Sequence, residues 1–176
     1  MTEPGRFLGK YRATVLVNVD PEQRGRLQLS IPGVLGEVPS TWAEACVPLA
    51  GPTGPPMGVY MVPPIGAGVW AEFENGDPSY PIWSGCRWGS TSDIPSTALL
   101  GLPTSPNIVV QTLAQQSLTI SDMPPTPVTG GIIVKSTTGA QIVVNDSGIY
   151  INNGKGASIT LIGPVVTINN GALAVT

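Results

Sequence analysis

The feature that most constrains the fold of this chain is a pair of apolar residues that recurs throughout its C-terminal half. The two members of each pair stand two positions apart, and the pairs recur every 7 to 14 residues. Residues two apart share one face of a β-strand, so each pair predicts a short strand with one apolar face. Gly, Asn, Asp and Pro between the pairs predict tight turns. The pairs are Ile108/Val110, Leu118/Ile120, Ile132/Val134, Ile142/Val144, Ile149/Ile151, Ile159/Leu161, Val166/Ile168 and Leu173/Val175.

Strands this short cannot enclose a core within a single chain, because each brings only two inward side chains and leaves its edges open. Full burial of such side chains stabilises by roughly 1.5–3 kcal/mol each, most of which a lone monomer forfeits. Winding identical chains about a common axis would bury every pair and close the edges. The pattern predicts an oligomeric β-solenoid and leaves the number of chains open. We expect the oligomer core to contain Ile132, Val134, Ile142, Val144, Ile149, Ile151, Ile159, Leu161, Val166 and Ile168.

The part of the chain before residue 90 has a different pattern, with strands broken by Gly and Pro at about ten-residue intervals. Strands are predicted at residues 11–20, 26–32, 41–49, 68–73 and 80–88. The first two form a hairpin, and the last two are joined by a turn that contains Asn75-Gly76. With 22 glycines, 19 prolines and only 11% charged residues, helices should be scarce. We expect an all-β chain that begins with a five-stranded OB-fold barrel.

These patterns divide the chain into four parts. Residues 1–8 form an N-terminal extension, and residues 9–90 form the barrel. Residues 91–106 are rich in Ser, Thr, Pro and Leu without periodicity and are predicted to be a linker. Residues 107–176 carry the repeated strands, whose last 21 residues contain no charged side chain.

The absence of histidine from the sequence removes several kinds of chemistry. A Ser-His-Asp triad, a Cys-His dyad, a His-ligated zinc site and an imidazole general base all require that residue. Asn145-Asp146 could suggest a calcium loop, but one carboxylate is too few for the usual oxygen cage. We expect no catalytic residue, no metal and no cofactor.

Cys46 and Cys86 fall in predicted strands, and we expect two small buried thiols because a reducing compartment disfavours a disulfide. The first residues lack the apolar run of a signal peptide, and no stretch of about 18 apolar residues predicts a membrane span. We expect assembly in the cytoplasm.

Three segments resemble the central spikes of contractile injection machines. Residues 19–27 (VDPEQRGRL) and 31–33 (IPG) resemble the opening of the OB domain in phage baseplate assembly protein V and VgrG-type spikes. Residues 62–78 (VPPIGAGVWAEFENGDP) and 81–85 (PIWSG) resemble a later segment of the same domain. Residues 166–175 (VTINNGALAV) are similar to the needle tips of these spikes. The segments occur in the order that the family shows.

The resemblance implies a homotrimer whose C-terminal part is an intertwined β-helical needle, placed in the baseplate of a phage virion or injection particle. It implies a separate hub protein at the base, other baseplate components, and only transient contact with a target membrane. The lysozyme domain and the His-x-His iron site of some relatives have no counterpart here. A separate PAAR-type protein would then cover the tip, docking on Ala172, Leu173, Val175 and Thr176.

Several alternatives compete with this interpretation. OB-folds also bind single-stranded nucleic acid, but the net charge of −3 argues against it. An adhesin or fibre tip with an OB base would share the repeat. Glu72, Glu74 and Asp77 are better explained as a solvated surface than as glycosidase carboxylates. Arg24 and Arg26 are expected to pair with acidic groups of a neighbouring subunit or the hub. Residues 52–64 are either a plain loop or a surface that docks on the hub.

Overall fold

The computed structural model describes residues 5–51 and 54–175, with side chains as far as Leu173. The chain divides into two compact units, Met1–Gly89 and Ser90–Thr176. In the part of the chain that the structure describes, no helix has the length and apolar character needed to cross a bilayer.

The first unit is built on five strands in one sheet. They are β1 (Tyr11–Val17), β2 (Gln28–Ser30), β3 (Glu44–Ala45), β6 (Gly68–Phe73) and β7 (Pro81–Cys86), with a separate hairpin of β4 (Ala50–Gly51) and β5 (Met57–Gly58). The order in the sheet is β2-β1-β6-β7-β3, antiparallel except where β3 meets β7. These five strands match the five predicted; β6 has the predicted ends, and the other four are shorter.

The sheet is curled, and the residues just before its two edge strands are joined by a β-bridge. Leu27 and Ala43 exchange both backbone hydrogen bonds, at 3.1 and 2.7 Å. The curled sheet encloses an interior that alternate residues of its strands fill, as in a small barrel. The core contains Ala13, Val15, Leu27, Leu29, Ile31, Ala43, Val69, Ala71, Phe73 and Trp83.

A short helix and a tight turn complete the first unit. Helix α1 (Pro32–Leu35) begins with a proline, whose fixed φ suits the first helical position. The turn between β6 and β7 is a 3-10 helix at Glu74–Gly76, in which Asn75 and Gly76 both have positive φ, at 53° and 79°. Asn and Gly tolerate this conformation best, which explains the Asn-Gly dipeptide at that point.

The second unit is an eight-stranded antiparallel sheet in which each strand pairs with the strands before and after it. The strands are β8 (Ile108–Gln111), β9 (Ser117–Ser121), β10 (Gly131–Lys135), β11 (Gln141–Asn145), β12 (Gly148–Asn152), β13 (Ser158–Ile162), β14 (Val165–Ile168) and β15 (Leu173–Val175). Every predicted apolar pair lies in one of these strands. The predicted linker contains two 3-10 helices, Thr91–Asp93 and Ser96–Leu100.

The sequence argument left the strand edges to be closed by other chains, and the structure closes most of them within the chain. Short turns, and the longer segment 122–130 between β9 and β10, bring each strand back beside its predecessor. β8 and β15 are therefore the end strands of the sheet among the described residues. Close approach needs glycine at the start of β10, where Gly131 has a φ of 75° and a Cβ would lie 2.1 Å from the Val144 carbonyl oxygen. A side chain cannot fit there.

Candidate functional site: the paired face and the first turn

The registers of the eight strands place the apolar pairs directly beside one another. Each pair member faces a pair member of the next strand, so the pairs form two unbroken columns on one face of the sheet, here named the paired face. One column is Ile108, Ile120, Ile132, Val144, Ile149, Leu161 and Val166, and the backbone of Val175 pairs with Val166 at its end. The other is Val110, Leu118, Val134, Ile142, Ile151, Ile159, Ile168 and Leu173.

Side chains on the paired face remain half-exposed in the single chain. Of the predicted core residues, Val134 is 50% exposed and Ile149 is 37% exposed, and five others lie between them: Ile132, Ile142, Val144, Ile151 and Ile159. Leu161, Val166 and Ile168 are partly buried. An apolar face this extensive marks an interaction surface, and a one-residue register slip would move the columns to the other face.

On the opposite face of the same sheet, residues 122–130, here named the strap, contact strand β11. On β11, Gln141, Val143 and Asn145 point to this face. The Gln141 side-chain nitrogen donates to the Pro127 carbonyl at 3.4 Å, and Asn145 Nδ2 donates to the Thr126 carbonyl at 2.8 Å. Val143, which lies between them, is fully buried.

Asn145 is the main anchor of the strap. Its Nδ2 also donates to the Thr129 carbonyl at 3.0 Å, while its Oδ1 accepts from the backbone N–H and the hydroxyl of Ser147 at 3.0 and 2.7 Å. The Ser147 hydroxyl in turn meets the Tyr150 hydroxyl at 2.9 Å. The sequence interpretation of Asn145 as a turn residue missed this role, because the strap residues are distant in sequence.

Two of the four residues predicted to dock a tip protein have described side chains. Ala172 is exposed, and Leu173 is 55% exposed at the start of β15. The backbone of Val175 pairs with Val166 in the register of the last two strands. The side chain of Val175 and all of Thr176 lie outside the described residues.

The first turn of the barrel is organised by the Asp20 carboxylate. Three backbone N–H groups donate to it, those of Glu22, Arg24 and Arg26, at 3.0, 2.9 and 3.2 Å. Arg26 donates to it through Nη2 at 2.7 Å and through Nε at 3.1 Å. The Arg26 guanidinium holds the pKa of this carboxyl well below its ordinary value, against the opposing effect of burial.

Arg26 is paired within its own chain, and its predicted contact with a neighbouring subunit or the hub stays a prediction. Its guanidinium is largely buried, also reaches Glu22 at 3.0 Å, and lies 5.6 Å from the centre of the Trp42 ring. A charge buried this far needs its partner within the fold. Arg24 differs, because it is half-exposed, although it contacts Glu22 at 2.9 Å and Glu44 at 3.0 Å. Its predicted role at the hub stays a prediction.

The remaining candidates for chemistry are dispersed over the barrel surface. Glu72 pairs with Lys10 at 3.1 Å, and hydrogen bonds from Lys10 and Ser84 lower its pKa. Cys46 and Cys86 are free, but both are exposed, so the prediction of buried thiols was wrong. They lie at or beyond the ends of short strands, where no layer covers them. The described residues contain no group of three acidic or cysteine side chains placed to hold a metal ion.

The comparisons with known proteins agree with both units. Residues 11–88 match the model of the type VI secretion system/phage-baseplate injector OB domain. Residues 107–174 match the phage baseplate V C-terminal trimerisation domain. A search of curated proteins found no match.

A barrel and a trimerisation sheet in this order define a structural component of an injection-machine baseplate, and the protein is a homotrimer. The chain belongs to the phage baseplate V family of VgrG-type spike proteins.

Proposed function

We propose that three copies of this chain form the central spike of a contractile injection machine. The barrel end would cap the hub and the tube, and the C-terminal end would pierce the target envelope and carry a tip protein. The spike would be assembled in the cytoplasm and would act in a phage tail baseplate or a related extracellular particle.

The observation that carries this proposal is the pair of apolar columns, which extends over all eight strands of a trimerisation domain that follows an injector OB domain. Three such faces around one axis would bury the columns from one end of the sheet to the other, and the chains would wind into a β-helix. Backbone hydrogen bonds between successive strands would resist unfolding under load.

The tip is proposed to bind a PAAR-type protein. Leu173 is exposed next to Ala172, and the segment after Lys155 has no charged side chain. Three copies of this end would make a small apolar platform, which is the kind of surface that awaits a partner.

We also propose that the role is mechanical and involves no catalysis. This is supported by the absence of histidine from the sequence and by the use of the candidate carboxylate Glu72 in an ion pair with Lys10.

The test is purification of the affinity-tagged full chain from cells that produce the whole machine. If the chain is the central spike, a ring-forming hub protein and a tube protein should copurify with it in stoichiometric amounts. Recovery on a fibre without hub or tube would contradict the proposal and would favour an adhesin or fibre tip. A matched sample with Leu173→Asp should retain hub and tube and lose only the tip protein.

A further inference from the structure

The barrel carries a second apolar surface, separate from the paired face. From residue 45 to residue 71 the chain contains no charged side chain, between Glu44 and Glu72. This uncharged segment exposes a cluster of large apolar side chains: Leu49 at 47%, Met57 at 59%, Val59 at 37%, Tyr60 at 71%, Met61 at 61% and Ile65 at 64%. Scattered apolar residues on a surface are ordinary, but six within one segment indicate an interface.

Hydrogen bonds hold the uncharged segment in place on the barrel. Within the segment, the Val59 N–H donates to the Leu49 carbonyl at 3.0 Å. From outside it, the Asn18 side chain donates to the Pro63 carbonyl at 3.1 Å. The Gly66 N–H donates to the Val15 carbonyl at 2.9 Å. The apolar side chains are therefore presented on a fixed backbone, which lowers the entropy cost of binding.

The net charge of the barrel favours a second copy of the barrel as the partner of this segment. Residues 1–89 contain six basic and eight acidic side chains, a net charge of 6 − 8 = −2 for each copy. Three copies held close together repel one another, and contact through charged surface would also desolvate those charges. The uncharged segment is a surface on which identical barrels can meet without either cost.

The composition of the segment also favours an interface between identical subunits. Obligate interfaces between identical subunits are more apolar than transient ones, and their cores are enriched in Met and Tyr and depleted in Lys, Glu and Asp. We propose that the uncharged segment of each copy packs against the barrel of a second copy, so that the trimer has a barrel interface in addition to the paired face. This requires the homotrimer but does not depend on the spike role.

The test places the photo-crosslinking amino acid p-benzoylphenylalanine at Tyr60 in the full chain. The matched control places it at Tyr80, which is 61% exposed and lies outside the uncharged segment. Both variants are first shown to be trimers by light scattering and are then irradiated without any other protein present. We expect covalent dimers and trimers on a denaturing gel from the Tyr60 variant, with the crosslinked peptide inside residues 1–89, and little or none from the Tyr80 variant.

Three results would overturn the proposal. The first is a Tyr60 variant that remains trimeric in solution but gives no crosslink. The second is a crosslink that appears only when a hub protein is added. The third is a crosslink whose partner peptide lies in residues 90–176. The second of these would assign the segment to hub docking and would leave the spike proposal intact.

Discussion

Ile159 and Ile162 offer a direct test of which face of the sheet forms the trimer core. Both are isoleucines of β13, but Ile159 belongs to the paired face and Ile162 points to the opposite face, and they are 39% and 50% exposed. Ile159→Asp and Ile162→Asp are therefore a matched pair that differs in the face carrying the new charge. We expect Ile159→Asp to abolish the trimer and Ile162→Asp to preserve it.

The expected size of the effect follows from the exposed fraction. Full burial of an isoleucine stabilises by roughly 1.5–3 kcal/mol, so covering the remaining 39% of Ile159 contributes about 0.6–1.2 kcal/mol in each chain. Burying a carboxylate without a partner costs several kcal/mol more. Over three chains the total penalty is on the order of 10 kcal/mol, or roughly a 10⁷-fold change in the assembly constant.

Light scattering after size exclusion measures the outcome. The chain mass is 18.2 kDa, so the trimer mass is 3 × 18.2 = 54.6 kDa. A monomer for Ile159→Asp beside a trimer for Ile162→Asp is the expected result. The reverse result would refute the assignment of the paired face, and two trimers would show that neither face forms the core at this strand.

Four further predictions concern single side chains. Asp20→Asn should lower the melting temperature of the barrel at pH 7, and the difference from the wild type should shrink as the pH falls below about 4, because a carboxyl with a depressed folded-state pKa stabilises fully above its unfolded-state pKa and progressively less as the pH falls towards its folded-state pKa; a constant difference from pH 7 to pH 2 would contradict this. Leu173→Asp should abolish binding of the tip protein while the melting transition of the barrel stays unchanged, and retained binding would disprove the docking site. Asn145→Ala should free the strap and destabilise the second unit by roughly 1–3 kcal/mol, seen as faster proteolysis within the strap; an unaltered cleavage rate would exclude the anchor role. Cys46 and Cys86 should both react with a thiol reagent in the native protein, Cys86 more slowly because partial desolvation of its thiol raises its pKa, and protection of both until denaturation would show that the trimer covers them.

The sequence by itself determined the architecture. Apolar pairs with period two, separated by turn residues, specified eight short strands, since each strand's geometry depends on neighbouring residues alone. The five strands of the barrel and the Asn75-Gly76 turn were predictable for the same reason. The ends of four of the five barrel strands were predicted too far out, because the point at which a strand stops depends on its partner.

Other features were decided only by the tertiary structure, because they depend on residues that are distant in the chain. The pairs could be read from the sequence, but their alignment into two continuous columns required the registers of seven strand pairings. The sequence suggested a surface charge at Arg26, whereas the fold encloses its side chain with Asp20 and Trp42. The sequence suggested buried thiols at Cys46 and Cys86, whereas both side chains are exposed near the ends of their strands. The anchoring of the strap by Asn145 also depended on the tertiary structure, because a local sequence pattern does not show which distant carbonyl a side chain will hydrogen-bond.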